Sequence, residues 1–279
     1  MQIASGGVTN VGRVRTNNED CFRILEANNL FVLSDGMGGE AHGEVASALA
    51  VETVVKHCLA PEDKDATLIF ADIPPTWSAK TRVLANAVHL ANKNIYESAQ
   101  AHPEQHGMGA TLTALWIDER RFSLAHVGDS RAYLLRGGTL QQLTGDHSLV
   151  AEQVRRGILT LAEAERSEMQ SVLLRALGAH PEIEVDAEEH TLFDRDILLL
   201  CSDGLTRMVT EPEIAGTLQA EPDPVRAANR LVELANEQGG ADNITVVVIR
   251  VGFESTDWFS WLRRSGRNKT RANGSAGGE

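Results

Sequence analysis

The sequence has no apolar run approaching the roughly 18–20 residues that cross a bilayer. Its opening residues, Met1-Gln2-Ile3-Ala4-Ser5, also lack the basic-then-apolar build of a secretory leader. A soluble, cytoplasmic protein is the expectation. Positive charge is in deficit: 26 Lys and Arg face 39 Asp and Glu, a formal charge of −13. Phosphate backbones bind an excess of Lys and Arg, so no nucleic-acid partner is expected. Cysteine is scarce. Cys21, Cys58 and Cys201 contain no CxxC pair and are odd in number, which fits a reducing compartment and small buried side chains. The sequon at Asn243-Ile244-Thr245 therefore carries no expectation of glycosylation. Internal repeats are absent as well, and 279 residues at 42% hydrophobic suffice for one large domain, read as a monomer.

Local patterns place strands at about 21–25 and 30–34, then a helix over 44–59 with Val45, Leu49, Val55 and Leu59 near one face. A Pro/Asp-rich connection over 61–75 precedes a helix over 79–99, with Leu84, Val88, Ala91 and Ile95 at helical spacing. Short β-type runs follow at 111–117, 121–127, 132–136 and 140–143. Residues 148–176 read as a mostly helical, polar insertion over the surface. A buried strand over 196–201, helices over 211–218 and 224–237, and a strand over 244–251 complete the pattern. Strands in hairpin succession, with helices gathered before and after them, predict an α+β sandwich; a parallel wound sheet would alternate β and α. Residues 1–253 form the domain, and from Glu254 the composition shifts to a flexible, basic tail over 254–279.

One local event recurs. An apolar strand stops at an acid followed by Gly or a small polar residue: Phe31-Val32-Leu33-Ser34-Asp35-Gly36, Leu198-Leu199-Leu200-Cys201-Ser202-Asp203-Gly204, and His126-Val127-Gly128-Asp129-Ser130. Ala241-Asp242-Asn243 is the mirror case, with the acid just before a strand. Each instance alone also reads as a simple turn. Together they hold carboxylates rigidly at sheet edges, where converging negative charges repel unless cations lie between them. Oxygen ligands without a His or Cys cluster favour Mg²⁺ or Mn²⁺ over zinc. Arg15, ahead of Glu19 and Asp20, reads as a surface loop by itself; beside a metal cluster it becomes a candidate phosphate clamp.

These residues also fall into a series of short motifs. Arg15–Asp20 (R-T-N-N-E-D), Asp35–Gly39 (D-G-M-G-G), Gly107–Leu112 (G-M-G-A-T-L) and Gly128–Tyr133 (G-D-S-R-A-Y) are followed by Thr144–Ser148 (T-G-D-H-S), Ser202–Leu205 (S-D-G-L) and Asp242–Thr245 (D-N-I-T). In this order they resemble the PP2C-type, metal-dependent protein phosphatases, in their compact bacterial form, from about residue 7 to 251. The resemblance implies a four-layer α/β/β/α sandwich with two central antiparallel sheets, and hydrolysis of phosphoserine and phosphothreonine in proteins. It also implies two Mg²⁺ or Mn²⁺ ions: Asp35 bridging them, the Gly36 carbonyl on the second, and Asp203 and Asp242 on the first. Asp20, with Glu19 near it, would support the second ion through water. Asp129 and Asp203 match the position of a third, weaker ion, and Arg15 matches the phosphate-binding arginine. The resemblance also implies a variable flap over about 146–176. Two dications roughly 3.5–4 Å apart would activate a water to attack phosphorus in line. The phosphorylated partners would be substrates of a serine/threonine kinase that the enzyme opposes.

Met37 stands where animal relatives carry a histidine that could protonate the leaving group. Methionine has no proton to give, so a water on a metal is the expected acid, and His42 and His147 are read as structural. Two rival enzymes read poorly. Cys201-x₅-Arg207 has the spacing of a cysteine phosphatase, but Asp203 inside that loop would repel the phosphate. Gly36-Met37-Gly38-Gly39-Glu40-Ala41 fits a dinucleotide loop, but Asp35 sits badly beside a pyrophosphate and the later strands lack a βαβ rhythm. The alternative from another class is an inactive, phosphopeptide-binding regulatory module. In the tail, Trp258, Phe259, Trp261 and Leu262 precede Arg263, Arg264, Arg267, Lys269 and Arg271, a pattern that could touch a membrane but reads first as a frayed end.

Overall fold

A strand that is apolar at every position must be covered on both faces, and this requirement organises the molecule. The computed structural model describes residues 1–38, 42–60 and 77–253. Its first half runs β1 (Gln2–Asn10), β2 (Asp20–Leu25), β3 (Leu30–Met37), α1 (Gly43–Leu59), α2 (Ala79–Ala101), β4 (Gly109–Ala110), β5 (Leu112–Asp118) and β6 (Arg121–Val127). The second half runs β7 (Arg131–Arg136), β8 (Thr139–Gln142), α3 (Leu149–Arg155), α4 (Leu161–Ala164), β9 (Asp186–Thr191), β10 (Ile197–Cys201), α5 (Asp203–Thr206), α6 (Glu211–Ala220), α7 (Pro224–Glu237) and β11 (Ile244–Gly252). One sheet has the order β1-β11-β10-β7-β8, the other β2-β3-β5-β6-β9 with β4 beside β3, and the strand pairings are antiparallel.

Alternation along the strands builds four layers. On β3, Leu30 and Val32 pack with α1 and α2, while Phe31 and Leu33 face the other sheet. On β10, Leu198 and Leu200 meet them from that sheet, and Ile197, Leu199 and Cys201 turn outward to α6 and α7. Val247 and Ile249 of β11 face inward and Val246 and Val248 outward. The result is the expected α/β/β/α sandwich. Helix starts are capped where the sequence supplies a cap: Ser78 for α2, and Asp223 before Pro224 for α7.

The structure departs from the sequence expectations at β1, at β9 and in the insertion. β1 was not foreseen, because Gly6-Gly7 breaks the strand pattern. The glycines are there for close packing: a Cβ on Gly6 would strike the backbone of Val225 in α7, and one on Gly7 would lie 2.6 Å from the Phe22 ring. The insertion over 148–176 is helical only in α3 and α4, because its polar sequence has no continuous apolar stripe to bury. The chain instead returns to the domain through backbone bonds, Leu174 N–H to His147 O at 2.7 Å and Leu177 N–H to Ala110 O at 2.8 Å. The connection over 61–75 and the basic tail over 254–279 lie outside the described residues, as do its aromatic and basic clusters. Among the described residues, no helix is long and apolar enough to cross a membrane.

Candidate active site

Antiparallel pairing brings the important strand ends to one edge of the sandwich. In one sheet, Cys201 at the end of β10 pairs with Arg131 at the start of β7 and with Val246 near the start of β11. Asp203, Asp129 and Asp242 therefore leave the same edge. In the other sheet Asp20 opens β2 directly opposite Asp35 in β3. The chain crosses from β6 to β7, from one sheet to the other, through Gly128-Asp129-Ser130 at this edge.

Glu19, Asp35, Asp129, Asp203 and Asp242 line one cavity of about 810 Å³, together with Arg15, Gly36, Met37, Thr111, Arg207 and Asn243. Ser171 and Leu173, from the insertion, form part of its wall. Asp20 lies behind the lining. Its Oδ2 accepts hydrogen bonds from Ser202 Oγ at 2.8 Å and Thr245 Oγ1 at 2.6 Å, which tie the two sheets together. Gly36 has to be glycine because a Cβ there would strike the carbonyl of Gly43 and lie 2.7 Å from that of Glu19.

Polar neighbours fix the carboxylates. The Asp35 N–H donates to Thr111 Oγ1 at 2.9 Å, and that hydroxyl lies 2.7 Å from Ser130 Oγ, so one threonine couples the turns that carry Asp35 and Asp129. Gly128 has φ +108° and donates its N–H to His147 Nδ1 at 3.0 Å. His147 Nε2 lies 3.1 Å from Asp186 Oδ2, so both ring nitrogens are engaged and the ring is structural. Asn243 holds the loop that carries Arg15. Its Oδ1 accepts from Glu19 N–H at 2.8 Å, and its Nδ2 donates to Asn17 O at 2.8 Å and Val11 O at 3.1 Å.

The electrostatics are those of crowded acids. Burial, then the charges of Asp20 and Asp203, drive Asp35 well above the ordinary carboxylate range. Burial also raises Asp20 to about 7, against the hydrogen bonds from Thr245 and Ser202. Asp129 is raised to about 7 by burial and by Asp203. Two guanidiniums offset this repulsion. Arg15 Nη2 donates to Asp242 Oδ2 at 2.9 Å, while Arg207 is ion-paired with Asp203 and lies 3.8 Å from Asp242 Oδ2. Arg207 was missed as a site residue; its place four residues after Asp203 was the available signal. Among the described residues, no three His, Cys, Asp or Glu side chains close on one point as a preformed cage. The acids line an open wall instead, and Asp20 Oδ1 and Asp203 Oδ1 are buried without a hydrogen-bond partner. Hard oxygen donors, mutual repulsion and orphaned oxygens together fit divalent cations. Cys201 is fully buried and its thiol is pushed up to about 12, which removes it as a nucleophile.

An α/β/β/α sandwich with an acid-lined, arginine-edged cavity at one edge of both sheets defines a metal-dependent phosphate-ester hydrolase as the class. The chain belongs to the protein phosphatase 2C family, whose model matches residues 12–243. It is 38% identical to the serine/threonine phosphatase stp of Listeria monocytogenes over 245 residues, 86% of this chain and 93% of that one. It is 39% identical to the serine/threonine protein phosphatase PstP of Mycobacterium tuberculosis over 240 residues, 86% of this chain and 43% of that protein. Among solved structures, the catalytic domain of PstP in complex with two manganese ions superposes with a TM-score of 0.77 at 37% identity, covering 90% of this chain and 99% of that one.

Proposed function

We infer that this chain removes phosphate from phosphoserine and phosphothreonine in proteins, using divalent ions held by the acids of the cavity. The observation that carries this reading is the meeting of Glu19, Asp35, Asp129, Asp203 and Asp242, from both sheets, in one cavity with Arg15. Asp35 would serve two ions, with the Gly36 carbonyl on the second, Asp203 and Asp242 on the first, and Asp20 and Glu19 supporting the second through water. Asp129 with Asp203 would hold a third, weaker ion, and Mg²⁺ or Mn²⁺ would be the metal. When bound, the ions supply an activated water and neutralise the charge of the phosphate.

The chain's own residues do the rest. Arg15 is 55% exposed and held by one carboxylate, so it is free to exchange Asp242 for a phosphate dianion and grip two of its oxygens. Thr111, Asn243 and Ser202 keep the carboxylate-bearing turns rigid, so little reorganisation accompanies charge transfer. Among the described residues lining the cavity there is no histidine, and Met37 has no proton to give. Water is the proposed proton donor to the leaving serine or threonine oxygen. Every acid expected at the site is present, which leaves the inactive phosphopeptide-binding module without support. Opposition to a serine/threonine kinase follows from the substrate class, and residues 1–253 form the catalytic domain.

The test is phosphate release from a phosphothreonine peptide, with Mn²⁺ and with EDTA, on the wild type and Asp35→Asn. Activity should need metal and fall at least about 100-fold in the variant. Metal-independent turnover, or full activity in the variant, refutes the reading.

A further inference from the structure

Arg207 reaches the acids from within their own helical turn. Asp203 and Arg207 are four residues apart, the spacing that stacks two side chains on one helix face, and they are ion-paired. A second guanidinium nitrogen lies 3.8 Å from Asp242 Oδ2. The Arg207 side chain is 25% exposed against 55% for Arg15, so its charge is held in the cavity wall with less water to screen it. Asp129 lines the same cavity as Asp203 and Arg207, close enough for the Asp203 charge to raise its pKa and the Arg207 charge to lower it.

We propose that the Arg207 guanidinium is the resident cation of the Asp129–Asp203 pair and competes with a third divalent ion for those carboxylates. The proposal rests on the reading of the cavity as a metal centre and deepens it. A guanidinium tethered one turn from its carboxylate has a high local concentration at all metal levels. One of the pair's two negative charges is therefore already balanced before any third ion arrives, and that ion binds only when free metal is abundant enough to push Arg207 aside. A phosphate-gripping arginine would instead be exposed and singly held, which describes Arg15.

The test counts bound Mn²⁺ per chain by equilibrium dialysis and elemental analysis, on wild type, Arg207→Gln and Arg207→Lys. The wild type should fill two tight sites, and Arg207→Gln should bind a third ion at least about tenfold more tightly than wild type does. Arg207→Lys, which keeps the charge, should follow the wild type. Adding Asp129→Asn to Arg207→Gln should abolish the gain. Melting curves check folding, and Arg207→Asn takes the place of a glutamine variant that does not fold. Two ions in the wild type with no gain in the neutral variants overturns the proposal alone, as does a gain that survives Asp129→Asn. An unchanged count with a tenfold rise in KM for p-nitrophenyl phosphate also overturns it, and marks Arg207 as a phosphate contact. A wild type that binds no Mn²⁺ overturns the metal-centre reading and this proposal together.

Discussion

Replacing Asn243 with alanine isolates the part of the site that is held by hydrogen bonds rather than by charge. The side chain is 5% exposed and makes three bonds, to Glu19 N–H, Asn17 O and Val11 O. A typical buried hydrogen bond contributes about 1 kcal/mol net, and each partner left unpaired adds to the loss, so Asn243→Ala should cost about 3 kcal/mol. For a domain of this size that lowers Tm by about 6–12 °C. The loop released carries Arg15 and Glu19, and a displacement of about 1 Å at a reacting centre costs on the order of 100-fold. Urea denaturation in EDTA measures the structural term free of any metal contribution, and hydrolysis of p-nitrophenyl phosphate with Mn²⁺ measures the functional one. A stability loss below about 0.5 kcal/mol with kcat/KM unchanged would refute the argument, because it would mean that the loop holds its position without this clamp.

Three further outcomes follow from the same structure. Arg136→Met should destabilise the protein by about 2–3 kcal/mol in urea denaturation without changing kcat/KM: it strips the bidentate partner from Asp196, 1% exposed, at the sheet edge away from the cavity. Burial lowers the folded His126 to about 4 from an ordinary 6.5, so the unfolded chain protonates first as the medium is acidified. Stability present above pH 6.5 is therefore lost as pH falls towards about 4, by up to about 3 kcal/mol, and denaturation midpoints of His126→Asn should show a shallower acid slope than wild type. Cys201→Ser should keep hydrolysis within about twofold while lowering the melting temperature, since it only puts a hydroxyl into an apolar layer; lost activity in a folded, metal-binding variant would revive the thiol as nucleophile.

What could be read from the chain is whatever is encoded locally. Leu198 to Asp203 announces a buried strand ending in a rigid acid, because apolar burial and a turn residue are properties of consecutive positions. Likewise α7 matched its reading over 224–237, since Asp223 and Pro224 start it and an apolar stripe carries it. β1 was illegible for the opposite reason: Gly6 and Gly7 are strand residues only because Val225 and the Phe22 ring lie against them, more than 200 residues away in one case. β9, Asp186–Thr191, was missed because an edge strand of mostly acidic and polar residues has no apolar alternation to betray it. The same division runs through the site. Its acids were visible as strand endings, but the groups that orient them, Thr111, Ser202 and Asn243, are ordinary polar residues whose partners come from other segments. Arg207 lies between the two cases, one helical turn from Asp203 and so locally readable, yet without meaning until Asp129 and Asp242 arrive from other strands. Positions of this kind, with a local tether and distant partners, set a charge balance that no stretch of consecutive residues announces, and the metal count of Arg207→Gln measures that balance directly.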